Sequence, residues 1–224
     1  MSEQHKITLL MSEFVTHDVK RFVFSKPPGF TFEPGQGVEL TINQPDWRDE
    51  SRPFTPTNFV DDKVLEFTIK RYVDHDGVTK KLHGLPAGSE LLISEPFGTI
   101  NYQGPGVFLA GGAGITPFIA ILRAQYRSSA DGGKNHLIFS NKTPADIIYE
   151  KELRHYLGKD CILTCTDETV AGYESRLIDK DFLGEKISDF SVPFYVCGPP
   201  GFMDALTGAL KELGADPQNL VFEQ

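Results

Sequence analysis

Three short strings in this chain combine residue types and spacings that can do chemistry. The first, Gly111-Gly112-Ala113-Gly114-Ile115-Thr116-Pro117, follows an apolar run at 107–110. It opens a stretch in which Phe118, Ile121, Leu122 and Gln125 recur at helical spacing. Glycines at such a turn let the backbone approach a ligand. Thr116 can cap the helix, and Pro117 suits its first turn, where a missing N–H costs nothing. The opening amides and the helix dipole favour a phosphate or pyrophosphate. The strict dinucleotide fingerprint would place glycine where Pro117 stands, so this string is a variant of it. Taken alone, it fits a ligand-free strand-to-helix turn equally well.

The second string is Cys197-Gly198-Pro199-Pro200-Gly201, at the end of the apolar run 194–197. Ligands of open α/β sheets sit beyond the carboxyl ends of the strands. That rule directs Cys197 toward the same crevice as Gly112 to Thr116. By itself, Cys197 also fits a small buried hydrophobe. The third string is Arg52-Pro53-Phe54-Thr55-Pro56-Thr57-Asn58. Arg52 offers a fork for phosphate, Phe54 a stacking face and Thr55 a hydrogen bond to a ring nitrogen. The competing reading is an edge strand broken by two prolines, with Arg52 solvated.

The elements that position these strings divide the chain in the middle. Residues 5–10, 19–25, 37–42, 64–71 and 90–94 read as short strands punctuated by Pro27-Pro28-Gly29, Pro34-Gly35, Pro45-Asp46 and Asp61-Asp62. One helix of about two turns is expected after Gly77, within VTKKLHGL. This pattern predicts an antiparallel β-barrel over residues 1–103. From Gly104-Pro105 onward strands and helices alternate: strands at 107–110, 136–140, 161–166, 194–197 and 220–222, helices at 117–128, 145–156 and 201–213. That alternation predicts a parallel α/β domain over residues 104–224, so the expected fold class is a two-domain barrel plus a Rossmann-like sheet.

Composition narrows the function classes. The chain has 224 residues, 22 basic against 31 acidic, and a net charge of −9. With no basic stripe to neutralise phosphates, nucleic acid is not the expected partner. No run of 18 apolar residues exists, so no membrane span is expected, and the opening MSEQHKITLL lacks the pattern of a secretory signal. The three cysteines, Cys161, Cys165 and Cys197, show no metal-ligand spacing, and no metal site is expected. A reduced, cytoplasmic protein is the expectation.

Together and in this order, the three strings resemble the ferredoxin–NADP reductase superfamily of flavin reductases over nearly the whole chain. RPFTPTN followed by Phe67-Thr68-Ile69-Lys70-Arg71-Tyr72 is most similar to the cytochrome b5 reductase and flavodoxin reductase-like branches. Asn141-Lys142-Thr143, Asp146-Ile147 and Glu152-Leu153-Arg154 support the same comparison.

The resemblance implies FAD, with FMN open, bound by the barrel. Arg52 and Pro53 would lie at the flavin phosphates, Phe54 against the ring in place of the usual tyrosine, and Thr55 near N5. Ile69, Lys70 and Tyr72 would line the flavin, although Lys70 also fits a solvated strand lysine. Gly77, Val78 and Thr79 would meet the pyrophosphate. Gly112, Gly114 and Thr116 would hold the nicotinamide dinucleotide, with Cys197, Gly198 and Pro199 beside the nicotinamide. Glu223 matches a carboxylate near the C-terminus of many relatives, though an exposed terminal glutamate fits it too. The sequence ends at Gln224 without the aromatic that covers the flavin in many of them.

Asp167 stands where NADPH-using relatives tend to carry serine and arginine. Its carboxylate can accept from ribose hydroxyls and repels a 2′-phosphate, which favours NADH. Lys142 and Arg176 would oppose that preference if they converged on the adenosine. The implied reaction takes hydride from the nicotinamide to the flavin and passes electrons to a separate redox protein such as a ferredoxin, flavodoxin or cytochrome. Reduction of free flavin or another small acceptor, and a non-catalytic nucleotide-binding subunit, are the competing functions.

Overall fold

The computed structural model describes residues 4–72, 76–98, 100–129 and 134–222. Its first half is a six-stranded antiparallel sheet built from β1 (Gln4–Phe14), β2 (Val19–Ser25), β3 (Val38–Ile42), β4 (Ser51–Phe54), β5 (Val64–Lys70) and β6 (Glu90–Ser94), in the order β4-β3-β6-β1-β2-β5. The sheet curls until its two edges meet. Past β4, Pro56 bridges Phe67 of β5, and the Thr57 amide donates to the Glu66 carbonyl at 2.8 Å. Alternating inward residues such as Ile7, Leu9, Phe22, Phe24, Leu65, Phe67, Leu91 and Ile93 fill the barrel, as a period of two requires. The short helix α1 (Val78–His83) joins that core with Val78 and Leu82.

The second half is a five-stranded parallel sheet of β7 (Val107–Gly111), β8 (His136–Asn141), β9 (Cys161–Cys165), β10 (Phe194–Cys197) and β11 (Leu220–Phe222), ordered β11-β10-β7-β8-β9. Helices α2 (Thr116–Ser128) and α3 (Glu150–Leu157) cover one face, while α4 (Lys180–Lys186) and α5 (Pro200–Glu212) cover the other. Along β7, Phe108 and Ala110 pack toward the first pair, Val107 and Leu109 toward the second. Apolar residues on both sides of a strand are what a sheet covered on two faces demands.

The expected two-domain class is therefore the observed one, with local corrections. Residues 51–54 do form an edge strand, which tolerates Pro53 because an edge strand has one side with no ladder bond to make. β1 continues to Phe14 through an irregularity between Leu9 and Met11. The helix expected at 145–156 begins only at Glu150, because Tyr149 adopts a left-handed φ of 53° that α-helix cannot include. Helix α4 was not expected. Asp179 caps it by accepting from the Phe182 amide at 2.8 Å.

Candidate functional site

Chain order runs from β7 outward to β8 and β9, then crosses back to β10 on the other side of β7. The sheet therefore reverses its winding between β7 and β10, where a crevice opens at the carboxyl ends. Both glycine strings lie there. Ala110 of β7 is the ladder partner of Cys197 of β10, and the two loops leave the sheet side by side.

The glycines of these loops do different jobs. A Cβ on Gly114 would overlap the Cys197 carbonyl and lie 2.6 Å from the Gly198 amide nitrogen. One on Gly198 would lie 2.7 Å from the Phe202 ring, and one on Gly111 would meet Phe202 and Pro199 at 3.2 Å. These three let the loops pack on each other. Gly112 alone combines a left-handed φ of 53° with open space beside it, so it turns the backbone where a ligand would approach.

The chain then winds through a 3-10 turn, Gly112–Ile115, straight into α2. This corrects the expected cap. Thr116 is already the first α-helical residue, and its hydroxyl donates to the Ala113 carbonyl at 3.0 Å instead of receiving a helix amide. The opening amides of the combined turn and helix have no partner within it, and the turn begins at the carboxyl end of β7. Cys197 is buried, as are Cys161 and Cys165, and none forms a disulfide. Gly198 is half-buried and Pro199 exposed at the crevice rim.

Farther along the same edge, Asp167 is exposed after β9, and its amide donates to the Lys142 carbonyl at 2.9 Å. Arg176 is committed elsewhere. Its guanidinium pairs with Glu185 at 2.9 Å and Asp179 at 3.5 Å, and lies over the Phe182 ring.

On the barrel side, β4 holds Arg52 half exposed, tethered to Glu50 at 2.9 Å and to the Ser51 carbonyl at 2.6 Å. Pro53 is exposed, Phe54 packs partly against the barrel core, and Thr55 is buried. The antiparallel Pro56–Phe67 bridge runs Thr55 and Phe54 back alongside the Thr68–Lys70 end of β5. Ile69 and Val78 turn their side chains into the barrel core, so they offer backbone only. Thr79 is half-buried and Tyr72 exposed.

Lys70 is not a solvated strand lysine. Its ammonium pairs with Asp18 at 3.0 Å. Burial opposes ionisation of Asp18, but the Lys70 hydrogen bond and charge outweigh it and hold the carboxyl below its ordinary value. His83 of α1 is buried, and its Nε2–H donates to the Ile69 carbonyl at 2.9 Å. Burial, with some help from Lys20 and Arg71, pushes its pKa down. Gly77, at the start of α1, has nothing within 4 Å of a Cβ position. Along β4 the exposed Arg52 and the partly buried Phe54 are two residues apart, so a cation and a flat ring share one side of the strand. Glu223 lies outside the described residues.

Comparison with known proteins agrees with this geometry. Residues 6–102 match the oxidoreductase FAD-binding domain, and residues 108–207 the oxidoreductase NAD-binding domain. NADH-cytochrome b5 reductase 2 of Candida glabrata is 31% identical, over 93% of this chain and 79% of that one. NADH-cytochrome b5 reductase 2-A of Vanderwaltozyma polyspora is 30% identical, over 90% and 78%.

This chain belongs to the ferredoxin–NADP reductase superfamily, in the group that contains the NADH-cytochrome b5 reductases.

It is accordingly an NAD(P)H-dependent flavoprotein reductase. The FAD/NAD-binding domain of a Vibrio cholerae nitric oxide dioxygenase shares the fold, with a TM-score of 0.86 at 20% identity, over 100% of this chain and 98% of that one. No helix among the described residues is long and apolar enough to cross a membrane.

Sequence reasoning missed one group at the seam between the two halves of the chain. Arg123 of α2, Glu66 of β5 and Glu152 of α3 form a half-buried ionic cluster between the barrel and the nucleotide domain. The signal was present: Glu66 and Arg123 are single charges in otherwise uncharged, mostly apolar runs, LEFTI and FIAILRA.

Proposed function

We propose that this reductase takes hydride from NADH onto FAD and passes the electrons to a separate redox protein, a cytochrome being the first candidate. The observation that carries this reading is the juxtaposition at the switch point. The loop that starts α2 and the Cys197-Gly198 turn share one crevice, and the barrel edge carries the flavin string. The reading divides the chain into a flavin domain, 1–103, and a nicotinamide domain, 104–224, which the limits of the two matched families support. When bound, the flavin supplies two-electron acceptance from nicotinamide and stepwise electron release.

The chain's own residues bind and orient. Arg52 neutralises flavin phosphate, with Pro53 fixing the edge strand beside it. Phe54 flanks the ring and Thr55 offers a hydrogen bond near its reactive nitrogen. The backbone of Ile69, with Lys70 and Tyr72, lines the site, and Gly77, Val78 and Thr79 present amides to the pyrophosphate. Gly112, Gly114 and Thr116 shape the dinucleotide site. Cys197, Gly198 and Pro199 border the nicotinamide, and Glu223 is proposed beside it.

NADH is favoured because Asp167 is exposed on the adenosine side while Arg176 is held by two carboxylates. A charge already paired is poorly placed to hold a 2′-phosphate. Relatives named for cytochrome b5 point to a haem protein as acceptor.

The test is steady-state oxidation of NADH by the FAD-loaded protein, offered either cytochrome b5 or added free FAD. Saturable turnover with the cytochrome, and none above background with free flavin, is the expected result. Turnover that rises with free FAD and ignores the cytochrome would move the assignment to a flavin reductase.

A further inference from the structure

We infer that Arg123 is the positioning residue that fixes the flavin strand against the nucleotide helix and so sets the alignment of the two cofactors. The inference rests on the reading that flavin lies along β4 and nicotinamide at the switch point. Arg123 stands about two turns into α2, the helix that begins at the Gly112–Ile115 turn. Its guanidinium reaches across the domain seam. One Nη donates to the Thr57 carbonyl and to Glu66 Oε1 at 2.8 Å, while Nε and the other Nη grip both oxygens of Glu152 at 2.6 and 3.0 Å.

Thr57 is two residues beyond Thr55, on the stretch that closes the barrel, and it is fully buried. Its hydroxyl donates to Glu66 Oε1 at 2.8 Å, so strand, carboxylate and guanidinium form one unit. Arg21 of β2 pairs with the other Glu66 oxygen at 2.8 Å, which anchors that unit to the barrel wall. On the nucleotide side, Tyr156 donates to Glu152 at 3.0 Å, and the Arg123 guanidinium covers the Tyr149 ring. Burial works against the Arg123 charge, but Glu152 and Glu66 outweigh it and hold the group charged at any ordinary pH.

Arg127 of α2 also reaches the barrel, pairing with both Asp61 oxygens at 2.8 and 2.7 Å and lying over the Phe59 ring, beside a cavity of about 250 Å³ between the 58–61 turn and Ala120 and Ala124. That pair is exposed on both sides and contributes little. The buried, doubly gripped Arg123 guanidinium therefore carries the alignment, and a lysine could not span the same partners. Hydride transfer needs reacting atoms about 3–3.5 Å apart, and a misplacement of about 1 Å costs roughly a hundredfold in rate. This is why a residue touching neither cofactor would act on the rate.

The test compares the FAD-loaded protein with Arg123→Lys, Arg123→Ala and Glu152→Gln variants in anaerobic single turnovers with NADH. For Arg123→Lys the expected result is retained flavin and an NADH dissociation constant within about threefold, with the limiting bleaching rate down roughly tenfold or more. Arg123→Ala should fall further than Arg123→Lys. A second readout is the distance distribution between spin labels at Ala87→Cys and Ala205→Cys, both exposed and one in each domain. It should broaden in Arg123→Lys without added nucleotide. An unchanged limiting rate in Arg123→Lys would overturn the positioning role. So would a rate that falls only in proportion to lost flavin while the distance distribution stays narrow. A wild-type chain that binds FAD yet is not bleached by NADH would sink the functional reading, and the positioning role with it.

Discussion

On the proposed function, the crevice between β7 and β10 and the β4 edge of the barrel would meet similar ligand groups, phosphates and flat rings, by opposite means. The crevice is made of backbone. Its tolerances come from glycines that let two loops touch, and its attraction for anions comes from helix-start amides. The barrel edge is made of side chains held by charge: Arg52 by Glu50, Lys70 by Asp18, and the closing strand by Arg123 through Glu66. The crevice should therefore fail by steric overlap and ignore pH, whereas the edge should fail when a charge loses its partner.

The largest expected effect lies on the charged side. Arg123→Ala leaves the Glu66 and Glu152 carboxylates facing each other across the seam, and breaking such a pair costs about 3–5 kcal/mol. Urea unfolding should show that loss as a lower midpoint with an unchanged slope. In the crevice, Gly114→Ala drives a methyl into the Cys197 carbonyl, and overpacking of that kind costs about 1–3 kcal/mol or more. Gly112→Ala meets open space and carries only the left-handed penalty of about 1–2 kcal/mol. The two alanine variants thus separate packing from ligand approach. Gly114→Ala should lose more stability, and Gly112→Ala should lose more NADH affinity per unit of stability lost. Equal losses in both assays would erase the division of labour among these glycines.

A smaller effect concerns pH. Burial holds His83 below its ordinary value of about 6.5, so the unfolded chain takes up the proton first. Its contribution to stability is complete above that pH and is lost as pH falls toward the folded-state value. His83→Gln should flatten the stability profile below about pH 6.5, checked by thermal melting from neutral pH downward. Gly114→Ala should leave the profile's shape unchanged.

The same contrast explains what could be read from the residues alone. Backbone devices leave compositional marks: Gly111 to Pro117 and Cys197 to Gly201 announce tight turns, and the alternation around them announces the parallel sheet. Arg52 and Phe54 could be read either as ligand chemistry or as an edge strand, but nothing in the residues said that the stretch past them closes the barrel, because β4 pairs with β3 while Pro56 finds Phe67 across the curl. Thr116 looked like a cap by its place after glycines. The 3-10 turn that makes it helical already depends on Gly112's left-handed φ, which the residue order permits but does not require. Lys70 and Asp18 are far apart in sequence, and their pairing follows from the β1–β2 hairpin lying beside β5. Arg123 was missed for the same reason: its partners Thr57, Glu66 and Glu152 come from three separate elements.

The central claim is that one cleft brings NADH from the switch point to a flavin on the barrel edge. The most direct measurement is the visible spectrum of the purified, FAD-loaded protein under anaerobic conditions, before and after NADH or NADPH. The account predicts a flavin band that NADH bleaches quickly and NADPH slowly, with Asp167→Ser narrowing the gap. Faster bleaching by NADPH would contradict the cofactor preference. No flavin band after incubation with FAD would contradict the account at its centre.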